Sequence, residues 1–149
     1  MRAVTSALPR RGFLFAVLVA GGLALLPAAV FAQAFEVQAS SGYVEALLPS
    51  LGWRQAVVGR QVPAGSVVTA WQDARMEMDY QGDSLTVGAL SHVRIQALEP
   101  ALVRLSLTSG SLTIKATTAT FEVAFRGAAV QVEKGAATLT NGLLTAASG

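Results

Sequence analysis

Ala74-Arg75-Met76-Glu77-Met78-Asp79-Tyr80 decides the fold. Ala74, Met76, Met78 and Tyr80 fall on one side of an extended chain, and Arg75, Glu77 and Asp79 on the other. Successive side chains of a strand point to opposite faces, so a period of two marks a strand buried on one side only. The same beat returns in Val93-Arg94-Ile95, Val103-Arg104-Leu105-Ser106-Leu107, Leu112-Thr113-Ile114-Lys115, Phe121-Glu122-Val123-Ala124-Phe125 and Val130-Gln131-Val132. After residue 40 no stretch carries a helical period. The chain beyond its N-terminus therefore reads as all-β.

Working outward, short strands are expected near 42–48, 53–58, 66–70, 74–80, 84–88, 91–97, 102–108, 111–116, 119–125, 128–133 and 136–140. Valine, leucine, isoleucine, threonine and phenylalanine dominate them, as strand propensity requires. Gly65, Gly82, Gly110 and Gly135 stand between apolar runs and are expected to make structural turns, because glycine supplies positive φ without strain. Many short strands with short turns suit a sandwich, a barrel or a solenoid. No fixed repeat period holds along the chain. Residues 143–149 lack alternation and are expected to form a flexible tail.

The N-terminus carries a different signal. Arg2, Arg10 and Arg11 precede an uncharged apolar run from Phe13 to Ala32, which ends in the small-x-small pattern Ala32-Gln33-Ala34. This is the layout of a secretory signal peptide, a leader helix over 1–34 cleaved between Ala34 and Phe35. An uncleaved anchor is the alternative, since about 20 apolar residues can span a bilayer. Pro27 and the alanine-rich exit favour cleavage. Arg10-Arg11-Gly12-Phe13-Leu14 resembles the core of a twin-arginine export signal, although Pro9 and Phe15 depart from its flanks. The expected location is periplasmic or secreted, with no membrane contact after cleavage.

Without the leader the charge balance changes. Three of the eleven Lys and Arg residues lie in it, leaving eight basic against nine acidic groups. No basic stripe with interleaved aromatics exists, which argues against a nucleic-acid reader. The chain has no cysteine. Disulfides, cysteine-bound zinc and thiol catalysis are therefore excluded, and stability must come from packing and strand ladders.

From Gly42 to about Gly142 the chain resembles the FecR domain family. The match opens with Gly42-Tyr43-Val44, continues through Trp53 and Val57-Val58, and is most telling in Val62-Pro63-Ala64-Gly65-Ser66-Val67-Val68-Thr69. Ala74 and Met76, Gly82-Asp83-Ser84-Leu85-Thr86-Val87, Ser91-His92-Val93-Arg94-Ile95 and Gly110-Ser111-Leu112 also fit. The resemblance implies a FecR-like β domain over 35–142, similar to a compact β-solenoid-like stack of short strands; a small β-sandwich is the alternative. The family's regulators join a cytoplasmic segment and a membrane span to a periplasmic β part, and relay a receptor signal to a sigma factor. Here the apolar segment begins at Phe13, too early for such a cytoplasmic segment, so a stand-alone domain is expected.

Candidate chemistry is sparse. His92, the single histidine, alternates out of phase with the apolar residues and should face solvent beside Arg94 and Gln96. No serine–histidine–carboxylate set follows from spacing. Asp73, Glu77, Asp79 and Asp83 form one acidic cluster, and calcium sites use carboxylates this way. The alternate-position loop and bidentate glutamate of such sites are missing, and Arg75 shares the face, so the cluster reads as a solvated strand face with no metal. Trp53, Trp71, Tyr43 and Tyr80 make either a contact surface or much of a small core. Trp53 starts an apolar strand and is expected in the core. Trp71, between two strands, is the binding candidate.

The expectation is a non-catalytic protein-interaction, ligand-binding or sensory module of the cell envelope. Its partner would be an envelope or extracellular protein, with no cofactor and no nucleic acid. A structural or self-assembling envelope β protein is the alternative. N-terminal sequencing of the exported product should read from Phe35; Met1 on membrane-bound material would instead establish an anchor.

Overall fold

The computed structural model describes residues 33–140 and 143–147, so the expected leader lies outside them apart from Gln33 and Ala34. The described chain is all-β. Fourteen strands follow in order: β1 (Ala34–Ser41), β2 (Val44–Leu48), β3 (Gly52–Gln55), β4 (Gln61–Pro63), β5 (Val67–Ala70), β6 (Arg75–Tyr80), β7 (Asp83–Val87), β8 (Ser91–Leu98), β9 (Leu102–Ser109), β10 (Ser111–Ala116), β11 (Thr120–Phe125), β12 (Ala128–Val132), β13 (Gly135–Thr140) and β14 (Leu143–Ala147). They form two open seven-stranded sheets. Sheet A runs β14-β13-β10-β7-β6-β1-β4 and sheet B runs β12-β11-β9-β8-β5-β2-β3.

The chain passes back and forth between the sheets and advances as it does so. In both, early strands lie at one end and late strands at the other. The inward-facing residues of both sheets merge into one core that includes Phe35, Met76, Met78, Leu85, Ile95, Leu105, Leu112, Ile114 and Phe121. The period-two reading holds in detail. Met76, Met78 and Tyr80 are buried while Arg75 is exposed, and Phe121 and Val123 are buried on either side of Glu122. Two large rings pack near the start of the stack, Phe35 against Tyr80 at 5.4 Å between centroids.

In β1 and β4 the alternation is cut short. β1 buries only Phe35 and Val37 before its exposed second half, and its register shifts between Val37 and Ala39. β4 has three residues, of which Val62 is buried. The expected strand at 53–58 stops at Gln55, because Val57 and Val58 sit exposed in the connection to β4. The segment expected to be a flexible tail is corrected: Leu143–Ala147 is a strand, paired antiparallel to β13 with Thr138 opposite Thr145. Its residues carry no period because no core lies under both of its faces; β13 supplies a template of backbone groups instead.

The β6–β7 hairpin turns on Gln81 and Gly82, at φ 53° and 87°. Positive φ at both central residues is the type I′ turn that matches strand twist. Space around Gly82 is open, so only its φ demands glycine there. Gly110 is held twice over. Its φ is also 87°, and a Cβ there would fall onto Ser91, 2.7 Å from that residue's Cβ. The buried Ser91 hydroxyl in turn accepts from the Ser111 N–H at 2.9 Å and donates to the Ser111 carbonyl at 3.0 Å.

Asp83 is fully buried. The acidic-cluster reading is therefore corrected for this residue, which does not lie on a solvated face. Its Oδ1 accepts from the Thr117 N–H (2.6 Å), the Thr117 hydroxyl (2.7 Å) and the Thr118 N–H (2.8 Å), and its Oδ2 from the Ala119 N–H (2.7 Å). These donors belong to the loop that carries the chain from β10 in sheet A to β11 in sheet B. There β11 runs parallel to β9, whereas the other paired strands run antiparallel. Burial alone would push the Asp83 carboxyl up, but the Thr117 hydroxyl and the three N–H groups outweigh it and hold the carboxyl below its ordinary value.

A lowered folded value means stability that is present above the unfolded carboxyl range and lost as pH falls through the folded one. Asp83→Asn would turn an amide donor toward loop donors, and should cost about 2–3 kcal/mol near neutral pH. In thermal melts the gap between wild type and variant should close as pH falls through the folded value. Parallel curves across the acid range would contradict this assignment.

Candidate functional site

The strand register lays out a grid on the outer face of sheet B. On β2, Glu45 and Leu47 point outward, half-buried between the buried Val44, Ala46 and Leu48. On β5, Thr69 shares their face, opposite Glu45, while Val67 stands opposite Leu47. On β8, His92 faces Thr69 and Arg94 faces Val67. On β3, Gln55 lies opposite Glu45 and Trp53 opposite Leu47. The face thus carries one row of Gln55, Glu45, Thr69 and His92, and beside it a row of Trp53, Leu47, Val67 and Arg94.

Aromatic rings border this grid at the strand ends. Tyr43 precedes β2 and Trp71 follows β5; both are about half exposed, at 52% and 50%. Their ring centroids lie 6.4 Å apart with planes tilted by 48°. Backbone bonds tie the loops that hold them: the Trp71 N–H donates to the Tyr43 carbonyl at 3.1 Å, and the Leu90 N–H to the Trp71 carbonyl at 3.3 Å. Leu90 is exposed at φ 55°, a conformation that a leucine rarely takes. Tyr43, Trp71 and Leu90 therefore belong to successive connections along one margin of the stack.

Polar contacts fix the neighbouring side chains. The Tyr43 hydroxyl donates to Glu45 Oε2 at 3.1 Å. That hydrogen bond, and then the Glu45 charge, hold the Tyr43 phenol above its ordinary value. Thr69 Oγ1 and His92 Nδ1 share a hydrogen bond at 3.1 Å. Farther along the face Arg104 and Glu122 pair at 3.0 Å with both side chains largely exposed, a geometry worth little stability.

Trp71, the sequence candidate, thus stands exposed at this border. Trp53, expected in the core, is corrected: it is 48% exposed. β3 is the outermost strand of sheet B, and the register puts Trp53 on the side of the outward-facing Leu47. Tyr80 belongs to the core instead, its hydroxyl donating to the Glu99 carbonyl at 3.0 Å; burial and the Glu99 charge hold its phenol above the ordinary value. His92 is half-buried between exposed Arg94 and its Thr69 partner. Among the described residues no three acidic, histidine or cysteine groups converge to hold a metal. The site missed from sequence is the row joining Glu45, Thr69 and His92. Alternation showed which residues share a strand face, but not which strands lie side by side.

The face and its border offer three exposed rings, Trp53, Tyr43 and Trp71, with a carboxylate, an imidazole and a guanidinium. They suit recognition through apolar area and hydrogen bonds. Comparisons with family models, with curated proteins and with solved structures found no match.

Glu45→Gln removes both the charge and the carboxylate acceptor from the Tyr43 hydroxyl. The Tyr43 phenol should then titrate at lower pH than in the wild type, read as phenolate absorbance against pH. An unchanged midpoint would show that Glu45 does not engage Tyr43 in solution.

Proposed function

We propose that this chain is an exported, non-catalytic FecR-like β domain that contacts an envelope or extracellular protein through the outer face of sheet B. The observation that carries the reading is the exposed Tyr43–Trp71 pair beside Glu45 and the Thr69–His92 bond. Aromatic side chains of this kind contribute a large contact area at little entropy cost, and they anchor many interfaces. The backbone bonds between their loops mean that little further ordering is needed on binding. The architecture is best read as a compact solenoid-like stack, because the chain advances in one direction along both sheets as it crosses between them. A sensory or ligand-binding role uses the same surface.

Trp71→Ala should leave the melting temperature close to wild type, since its ring adds little to the core, while sharply weakening capture of the partner. The test is circular dichroism melting alongside pull-down from envelope extract, with the captured protein identified by mass spectrometry. Gly82→Val should damage folding itself, because a β-branched residue does not tolerate φ near 87°. A Trp71→Ala variant that binds the same partner equally well, or that unfolds, would remove this reading.

A further inference from the structure

The bond at which the leader is expected to be cut, between Ala34 and Phe35, lies inside a strand of the folded domain. β1 begins at Ala34 and sits between β4 and β6 in sheet A. Ala34 stands opposite Pro63, and Phe35 opposite Val62. From Glu36 onward β6 occupies the other edge, with Glu36 opposite Asp79 and Val37 opposite Met78. Phe35 and Val37 are both 0% exposed, and the Phe35 ring packs against Tyr80. Backbone bonds clamp the strand just beyond. The Val37 N–H donates to the Arg60 carbonyl at 3.0 Å, and the Gly59 N–H donates to the Val37 carbonyl at 2.8 Å. Gln33 is exposed, Ala34 is half-buried and Phe35 is already in the core, so the Ala32-Gln33-Ala34 pattern runs straight into the packed strand.

We infer that cleavage between Ala34 and Phe35 precedes the docking of β1, so that docking of β1 decides whether this chain keeps its leader. The inference rests on the proposed export of the chain. A peptidase cuts accessible, extended segments, and a bond held in a folded element is cut only when that element opens. A leader peptidase must reach the Ala34 carbonyl carbon and hold the residues on both sides of it, Phe35 included. Water adds its hydroxyl to that carbon as the amide bond breaks, its hydrogen goes to the Phe35 nitrogen, and the new acid's proton passes to the new amine. Phe35 and Val37 then enter the core. Little is lost with Ala34, because its partner Pro63 has no N–H to offer and the Pro63 carbonyl accepts from the Ser66 N–H at 3.2 Å. In the opposite order the core closes over Phe35 and residues 1–34 stay attached. The topology favours cleavage first. β1 needs β4 and β6 as partners, and the ring of Phe35 needs Tyr80 at the end of β6, so docking waits until the chain has been threaded through residue 80.

The test uses the full chain, made without membranes so that residues 1–34 are retained, and a purified leader peptidase in detergent, with products read by mass spectrometry. Diluted from denaturant into buffer that already contains the peptidase, the chain should yield a product beginning at Phe35. Given the peptidase only after refolding, verified by circular dichroism, it should be cut more slowly by about tenfold or more, because the rate is then scaled by the opening of β1. A Gly-Ser-Gly-Ser insertion between Ala34 and Phe35 keeps the small-x-small pattern but moves the bond out of the strand. This variant should keep the wild-type melt and be cut at the unfolded rate even after refolding. Val37→Asn, which places a polar group in the core and unseats β1 while leaving the pattern intact, should likewise restore cleavage after refolding. Equal wild-type rates before and after refolding would overturn the inference. So would an insertion variant that folds and still resists, since the micelle and not the strand would then be the barrier. A chain left uncut at Ala34 in both orders of addition overturns the leader reading itself, an outcome distinct from equal rates of cutting.

Discussion

One buried carboxylate governs how this chain closes its fold. Asp83 gathers four hydrogen bonds from Thr117, Thr118 and Ala119, the loop that leaves sheet A and enters sheet B. A loop of this kind exposes successive N–H groups that no strand ladder satisfies, and burying them unpaired would be costly. The carboxylate satisfies them together. Its position at the start of β7 follows from the tight turn at Gln81 and Gly82. A local hairpin thereby makes a contact between residues more than thirty apart, at the loop from which β11 enters parallel to β9.

Beyond this link, stability rests on the shared core and the ladders, and Ser91 and Tyr80 are handled in the same way, whereas the buried Ser66 hydroxyl has no partner among the described residues. Ser91 binds both backbone groups of Ser111, beside a Gly110 that no larger residue could replace without displacing Ser91. Tyr80 buries its ring against Phe35 and donates its hydroxyl to the Glu99 carbonyl. In each case a polar group inside the stack is paired with backbone at a connection, where the ladders leave backbone groups over.

The same connections shape the outer surface. Tyr43, Trp71 and Leu90 lie in the β1–β2, β5–β6 and β7–β8 crossings, and backbone bonds pass from one of these loops to the next. Regular advance along the stack therefore aligns side chains that are far apart in sequence into one border.

The period of two in Arg75–Tyr80, Val103–Leu107 and Phe121–Val123 determined the all-β class and the core faces, because which side of a strand is buried is a local property of the pleat. The exposed place of Trp71 was legible from its position between two strands. Alternation did not reveal β4 or β14, where short length or a missing core face removes the period, nor β1, whose alternation lasts only from Phe35 to Val37. It placed Trp53 in the core, because an apolar residue at an edge strand looks in sequence like one at a central strand. It put Asp83 on a solvated face, because nothing near Asp83 in the chain announces the loop at Thr117–Ala119. Strand order and the Glu45–Thr69–His92 row were decided only by the tertiary structure: the hydrogen bonds that pair strands join backbone groups alike in every residue except proline, so side-chain pattern carries no record of which partner they choose.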